Sequence, residues 1–145
     1  MDPKEFLRVA NDLLKLQGAA EVRSAVSRAY YAAFHVAADI LAGMDFRISK
    51  GPAGHGEVCH RLSNCGNADV ETIGQDLFDF KGIRNDADYK LLKSEAEKPT
   101  RAKLIVQNTA TIIEDLKTHC NGPDRDNIKR AIKAWEIRTS NRPST

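Results

Sequence analysis

Arg84 is a charged residue that the sequence places among apolar ones. It falls on the same helical stripe as five apolar residues, Val70, Ile73, Leu77, Phe80 and Ala87. A charge on an apolar stripe costs free energy unless a partner or a ligand compensates it. A guanidinium keeps its charge at any ordinary pH, and its planar fork donates two hydrogen bonds to a phosphate. A role in binding an anion, with phosphate as the anion that suits the fork, is therefore one interpretation of this position.

The alternative for Arg84 is an ordinary ion pair. Asp88 lies one helical turn further along the chain, and such i,i+4 pairs contribute only a few tenths of a kcal/mol. In that case Tyr89 simply packs at the end of the helix. The sequence leaves both interpretations of Arg84 open.

A second helix carries three residues that are candidates to support an anion site, namely Arg28, Tyr31 and His35. His35 is the histidine best placed to reach a cleft in a helical bundle. In the alternative interpretation the aromatic pair Tyr30 and Tyr31 fills the core, Arg28 is satisfied locally and His35 is structural. A lone histidine beside core positions is more often structural.

The metal-ligand residue types cluster in one place, at His55, Cys59, His60 and Cys65. Their spacing lacks the C-x-x-C or H-x-x-x-H pairs of structural zinc sites, so we expect half-buried thiols. The glycine-rich residues 51–56 have no Lys-Ser/Thr and therefore do not form a phosphate loop. We expect neither a metal nor another cofactor.

The C-terminal segment is basic. Residues 124–145 contain six lysines and arginines against three acidic residues. Four of these cations, Arg125, Lys129, Arg130 and Lys133, are candidates for contacts with RNA phosphates, with Trp135 beside them for stacking. The alternative is an amphipathic helix that docks Ile128, Ile132 and Trp135 on the rest of the protein while its basic face is solvated.

Apolar residues recur every three or four positions, which predicts a succession of helices. The predicted helices cover residues 3–18, 19–42, 57–64, 69–87, about 100–120 and 124–139, with a flexible loop at residues 44–56. The predicted fold is all-α: an antiparallel up-and-down bundle of four or five helices. Residues 1–122 form this domain, and residues 123–145 add a basic helix and a frayed tail packed on it.

The composition is that of one globular domain. The chain has 145 residues, 41% hydrophobic and 29% charged, and a net charge of +2 that by itself does not indicate nucleic acid. The sequence lacks an apolar run long enough to span a bilayer and lacks the layout of a secretion signal. The three cysteines leave one unpaired, which fits a reducing cytoplasm. We therefore expect a cytoplasmic protein without a membrane segment.

Two stretches resemble a known family. The sequence Ser-Arg-Ala-Tyr-Tyr-Ala-Ala-Phe-His at residues 27–35 is similar to the first signature of HEPN-domain proteins. The sequence Arg-Asn-Asp-Ala-Asp-Tyr at residues 84–89 resembles the second signature. The resemblance covers roughly residues 1–120 and leaves out the basic C-terminal helix.

The resemblance implies a helical bundle that dimerises. Many HEPN proteins are metal-independent endoribonucleases, and many are toxins paired with a nucleotidyltransferase-type antitoxin. In active members the second signature has an arginine, a polar residue and, further on, a histidine. Arg84 matches the arginine and Asn85 the polar residue, whereas Tyr89 occupies the histidine position.

The resemblance thus implies a weak metal-independent endoribonuclease toxin with a composite site where two copies meet. Arg84 of both copies would bind phosphate, Asn85 would orient it, and Tyr89 would donate a proton. Because a phenol is a poor base near neutral pH, His35 is the candidate to replace the missing histidine. The alternative is a non-catalytic module that binds RNA, a nucleotide or a nucleotidyltransferase-type partner.

Overall fold

The computed structural model describes residues 1–140, and it is all-helical over that range. The six helices are α1 (Lys4–Leu14), α2 (Ala19–Gly43), α3 (Ala53–Leu62), α4 (Ala68–Tyr89), α5 (Pro99–Cys120) and α6 (Arg125–Ser140), with a short 3-10 helix at Ser94–Glu97. The predicted all-α antiparallel bundle is confirmed. The frayed tail predicted beyond α6, with Arg142, lies outside the described residues.

Local sequence signals explain where α4 and α5 begin. Before α4, Gly66 takes a left-handed φ of 76°, which only glycine adopts without strain. The next residue, Asn67, caps α4, because its side-chain oxygen accepts hydrogen bonds from the backbone N–H of Asp69 and Val70. Pro99 lies in the first turn of α5, since that turn needs no N–H from it.

The central element is α2, which packs against α1, α3, α4 and α5. Its buried residues include several alanines, among them Ala25, Ala29, Ala32 and Ala33. Small side chains let the neighbouring helices approach closely, so α2 faces four partners at once. One of these partners is α4, which also packs against α3 and α5.

The sixth helix belongs to the same hydrophobic core as the bundle. Ile128 and Ile132 are fully buried with Leu41, Leu62 and Leu116. The amphipathic helix α6 therefore docks on the bundle, and this docking is independent of any role of its basic face.

The predicted loop at residues 44–56 was partly wrong, because α3 begins at Ala53 and not near Glu57. Glycine at position 54 suggested a break, but it serves close packing instead. A Cβ on Gly54 would lie 2.3 Å from the carbonyl oxygen of Ser49. The prediction of α1 was also too long, since the helix ends at Leu14 and Gln17 has a left-handed φ of 58°.

The three cysteines are free and buried, so the prediction that Cys59 and Cys65 are half-buried was wrong. Burial raises the pKa of Cys59 and Cys65, and it raises the pKa of Cys120 to about 12. These thiols are therefore protonated and unreactive in the folded protein. Within residues 1–140, no helix combines the length and the apolar character that crossing a membrane requires.

A buried arginine that the sequence did not single out holds the end of α4. Arg23 on α2 is only 7% exposed. Its guanidinium donates hydrogen bonds of 3.0–3.2 Å to five backbone carbonyls, those of Asp86, Ala87, Lys90, Leu91 and Lys93. It also pairs with Glu97 at 2.9 Å. The carbonyls at a helix end lack partners within the helix, so Arg23 fixes α4 and the turn after it against α2.

Candidate functional site

Arg84 lies on the inward face of α4, and only 8% of it is exposed. The guanidinium carbon is 5.5 Å from the ring centroids of both Tyr30 and Tyr31 on α2. A cation over an aromatic face is attracted by the ring quadrupole. The two sequence stretches that resemble family signatures, residues 27–35 and 84–89, therefore meet in the fold.

The polar contacts of Arg84 are incomplete. Its Nη1 lies 3.4 Å from Asp88 Oδ2, which is longer than the usual N–H···O distance. The same Oδ2 also accepts a hydrogen bond of 3.1 Å from the Ser27 hydroxyl. The Nε of Arg84 is buried and has no hydrogen-bond partner among residues 1–140. The ion pair with Asp88 thus exists, but it leaves Arg84 with unused donors at a cost of roughly 1–3 kcal/mol.

A histidine that the sequence analysis considered only as a metal ligand completes the site. His55 on α3 has its Nδ1 2.6 Å from the Tyr30 hydroxyl, and its ring stacks on Phe34 at 4.2 Å. We call Arg84, Tyr30, Tyr31, Asp88 and His55 the Arg84 cluster. No spacing rule connects His55 with Arg84, and only the shared contact with Tyr30 reveals it.

The protonation states of Tyr30 and His55 follow from burial. Burial raises the pKa of Tyr30, so its hydroxyl keeps its proton. Burial, and then the charge of Arg84, lower the pKa of His55 below its usual range. The imidazole is therefore neutral at neutral pH. The Tyr30 hydroxyl has no other hydrogen-bond partner in the described chain, which favours donation to Nδ1 and places the imidazole proton on Nε2.

The predicted supporting residues lie beside this cluster. The Arg28 guanidinium carbon is 5.2 Å from the Tyr31 centroid and 5.4 Å from that of Phe6. Tyr31 therefore has two arginines near its ring. His35 stacks on Phe6 at 5.7 Å and lies 6.1 Å from Tyr31. His35 thus packs at the edge of the cluster, whereas the histidine inside it is His55.

The two residues predicted to act with Arg84 are less closely placed. Asn85 is half-buried. Tyr89, the last residue of α4, is 74% exposed and has no hydrogen bond with Arg84 or Asp88. Within one chain the structure brings Tyr31 to Arg84 and places Arg28 and His35 beside Tyr31, but it leaves Tyr89 on the surface. The catalytic roles of Asn85 and Tyr89 remain predictions.

The predicted RNA-binding cations of α6 divide into two groups. Arg125 donates to the Gly43 carbonyl at 2.7 Å, and Lys129 pairs with Asp45 at 3.0 Å, which lowers the pKa of that carboxyl. These two cations hold α6 on the bundle. Within residues 1–140 the side chain of Arg130 hydrogen-bonds only to Asn127, at 2.7 Å, and Arg130 and Lys133 are both exposed. These two cations therefore remain accessible.

A sizeable groove lies elsewhere and does not fit an anion. It measures about 750 Å³ and runs between α4 and α5. Four aspartates line it, Asp69, Asp76, Asp79 and Asp115, and Arg84 does not. Phosphate would be repelled there. This groove is therefore not a candidate for anion binding. Nowhere in residues 1–140 do three His, Cys, Asp or Glu side chains group in a way that could hold a metal ion.

The lowered pKa of His55 predicts a pH dependence of stability. The unfolded chain has a histidine pKa of about 6.5, so it takes up a proton there before the folded protein does. The contribution of His55 is complete above pH 6.5 and is lost as the pH falls through the lower folded-state value. Urea unfolding between pH 5 and 7.5 should show wild type losing more stability on acidification than His55→Gln. Parallel curves for the two proteins would contradict the assignment.

Comparison with known proteins identifies no family for this chain. No protein-family model, no curated protein and no solved structure matches the chain. The functional conclusion therefore rests on the residues of the Arg84 cluster and their contacts.

Proposed function

We propose that the protein is a cytoplasmic HEPN-type protein that binds RNA phosphate at the Arg84 cluster and cleaves RNA slowly without a metal. The observation that carries the proposal is the buried Nε of Arg84, which has no partner among residues 1–140. A buried guanidinium with an unused donor costs stability, and a bound phosphate would satisfy that donor. Arg28 and the half-buried Tyr31 next to it extend a positive, aromatic surface of the kind that suits single-stranded RNA.

The proposed reaction is a transesterification within RNA. A base takes the proton of the 2′-hydroxyl, and the 2′-oxygen attacks phosphorus. The bond from phosphorus to the 5′-oxygen breaks, and that oxygen takes a proton from an acid. The products carry a 2′,3′-cyclic phosphate and a free 5′-hydroxyl. Arg84 would stabilise the charge that develops on the phosphoryl oxygens, and Asn85 would orient them.

His55 is the base in this proposal, and its contacts are the reason why we expect cleavage to be slow. A neutral imidazole accepts a proton only on the nitrogen that has a free lone pair. With Tyr30 donating to Nδ1, that lone pair is occupied and Nε2 carries a proton. His55 becomes a base only in the other tautomer, in which Nδ1 donates to Tyr30. The favoured tautomer suits phosphate binding better than proton removal.

The acid in this proposal comes from a second copy. Tyr89 is exposed on its own chain, so it can donate to the cluster of a partner in a homodimer. Two-fold symmetry would also bring two copies of Arg84 to one composite site. A homodimeric toxin controlled by a nucleotidyltransferase-type antitoxin is the biological role that we propose.

One observation favours a second candidate, a non-catalytic module for a partner protein. Tyr89, Leu91 and Leu92 are all exposed, although Arg23 fixes the backbone of this turn. Rigid exposed apolar side chains suit a protein interface. If this candidate is correct, the double variant Leu91→Ser and Leu92→Ser abolishes co-purification with a co-expressed nucleotidyltransferase-type protein, whereas Arg84→Gln does not.

The test of the first proposal uses purified protein, single-stranded RNA and a chelator. We expect wild type to bind RNA and to release fragments with 2′,3′-cyclic phosphate ends. Arg84→Gln should lower the affinity at least about tenfold, since a charged contact to phosphate contributes roughly 1.5–3 kcal/mol, and it should abolish cleavage. The matched control is Arg47→Gln, because Arg47 is exposed and outside the cluster. Equal affinities of wild type and Arg84→Gln would refute the anion site.

A further inference from the structure

The acidic groove between α4 and α5 has an apolar floor. Ile73 and Phe80 of α4 are buried at its base, and Ile83, Ile105 and Ile112 line it half-buried. Its lining residues include no lysine or arginine. An apolar floor below an acidic rim is a surface that suits an amphipathic helix with cations on its apolar edge.

The carboxylates on the rim of this groove have few cationic partners. Asp69 lies 3.7 Å from His119. Asp76, Asp79 and Asp115 form no ion pair with any of residues 1–140. Carboxylates repelling one another around a half-buried floor favour a cationic occupant. The charge of the groove thus indicates the sign of its ligand.

The chain itself carries a helix face with the complementary pattern. Arg130, Lys133, Ala134 and Ile137 lie on one stripe of α6, opposite the buried Ile128 and Ile132. All four are exposed, and Ile137 is 61% exposed. Two of the four, Arg130 and Lys133, were predicted to contact RNA phosphates, but an exposed isoleucine in line with them suits a protein groove better than a phosphate backbone.

The two stripes share one spacing. Four groove residues of α4 are separated by three, one and three positions, namely Asp76, Asp79, Phe80 and Ile83. The four stripe residues of α6 have the same separations, namely Arg130, Lys133, Ala134 and Ile137. If the two helices lie parallel in this register, each of the two cations lies beside an aspartate. The small Ala134 then lies against the large Phe80, and Ile137 lies against Ile83. Since each residue advances a helix by about 1.5 Å, the register holds over about 10 Å.

We propose that α6 of a second copy of this chain lies in the α4–α5 groove, with Arg130 beside Asp76, Lys133 beside Asp79 and Ile137 against Ile83. This contact is separate from the Arg84 cluster, so it does not depend on the proposed activity. Each copy has both a groove and a helix, and a pair that fills both grooves is closed by a two-fold axis.

A cross-linking experiment tests the register directly. Asp79→Cys and Lys133→Cys are made in separate chains, one of them tagged so that their products differ in size, and mixed under mild oxidation. The native cysteines are buried and do not compete. We expect the mixed disulfide to exceed both self-linked products. Asp39→Cys replaces Asp79→Cys in the matched control, because Asp39 is exposed on α2 and does not line the groove. Equal yields with the two aspartate positions would overturn the proposal.

Charge reversal tests the energetics. Asp76→Lys with Asp79→Lys reverses the groove, and Arg130→Glu with Lys133→Glu reverses the helix. Each variant alone should raise the dissociation constant of self-association at least about tenfold, because two pairs become repulsive, and mixing the two variants should restore association. Light scattering and sedimentation measure this. If the helix reversal weakens RNA binding and leaves association unchanged, α6 is an RNA surface and the proposal is wrong.

Discussion

Replacing Arg23 with alanine is expected to lower the free energy of unfolding by about 3–5 kcal/mol, as for other buried charges that lose one partner of a bonded network. The guanidinium donates hydrogen bonds to five backbone carbonyls between Asp86 and Lys93 and forms an ion pair with Glu97. Alanine would leave the carbonyls at the end of α4 without these donors. Urea unfolding followed by circular dichroism measures the change.

Two further variants sharpen the role of Arg23. Arg23→Lys should recover less than half of the loss, because an ammonium has three donors and lacks the planar fork. Arg8 is the matched control, since its pairs with Glu5 and Asp12 are exposed and such pairs contribute little. Arg8→Ala should leave the free energy of unfolding nearly unchanged. A similar small loss for Arg23→Ala would mean that water replaces the guanidinium and that the turn is not held by it.

Replacing Arg84 with methionine is expected to separate stability from function. The free energy of unfolding should stay the same or rise by up to about 2 kcal/mol, because methionine removes a desolvated charge whose Nε lacks a partner in the described chain. The loss of contact with the Tyr30 and Tyr31 rings opposes this gain by about 0.5–1 kcal/mol each. RNA affinity should nevertheless fall at least about tenfold, since the phosphate loses its charged donor.

The two readouts together distinguish a functional arginine from a structural one. Sites that bind ligands are commonly less stable than their apolar substitutes. Unfolding curves and RNA-binding isotherms on the same Arg84→Met preparation give both numbers. A loss of stability above about 2 kcal/mol with unchanged RNA affinity would make Arg84 a structural residue whose main partner is Asp88.

The helices and their buried faces were predictable from the sequence. The stripe that includes Arg84 is the buried face of α4, and Ile128 and Ile132 are the buried residues of α6. The spacing of apolar residues in the sequence indicates which side of a helix is buried, because an α-helix has 3.6 residues per turn. The start of α3 was missed, since Gly54 has the same local signature whether it breaks a helix or allows close packing.

The tertiary structure alone decided which helix meets which and therefore the composition of the site. His55 reaches Tyr30, and Arg23 reaches the end of α4, across long separations in sequence. Arg125 and Lys129 are held by Gly43 and Asp45, although their spacing equally suited RNA. The physical reason is that hydrophobic patterning is local and specifies burial, whereas the partner of a buried polar group is fixed only when the helices pack and every donor must find an acceptor.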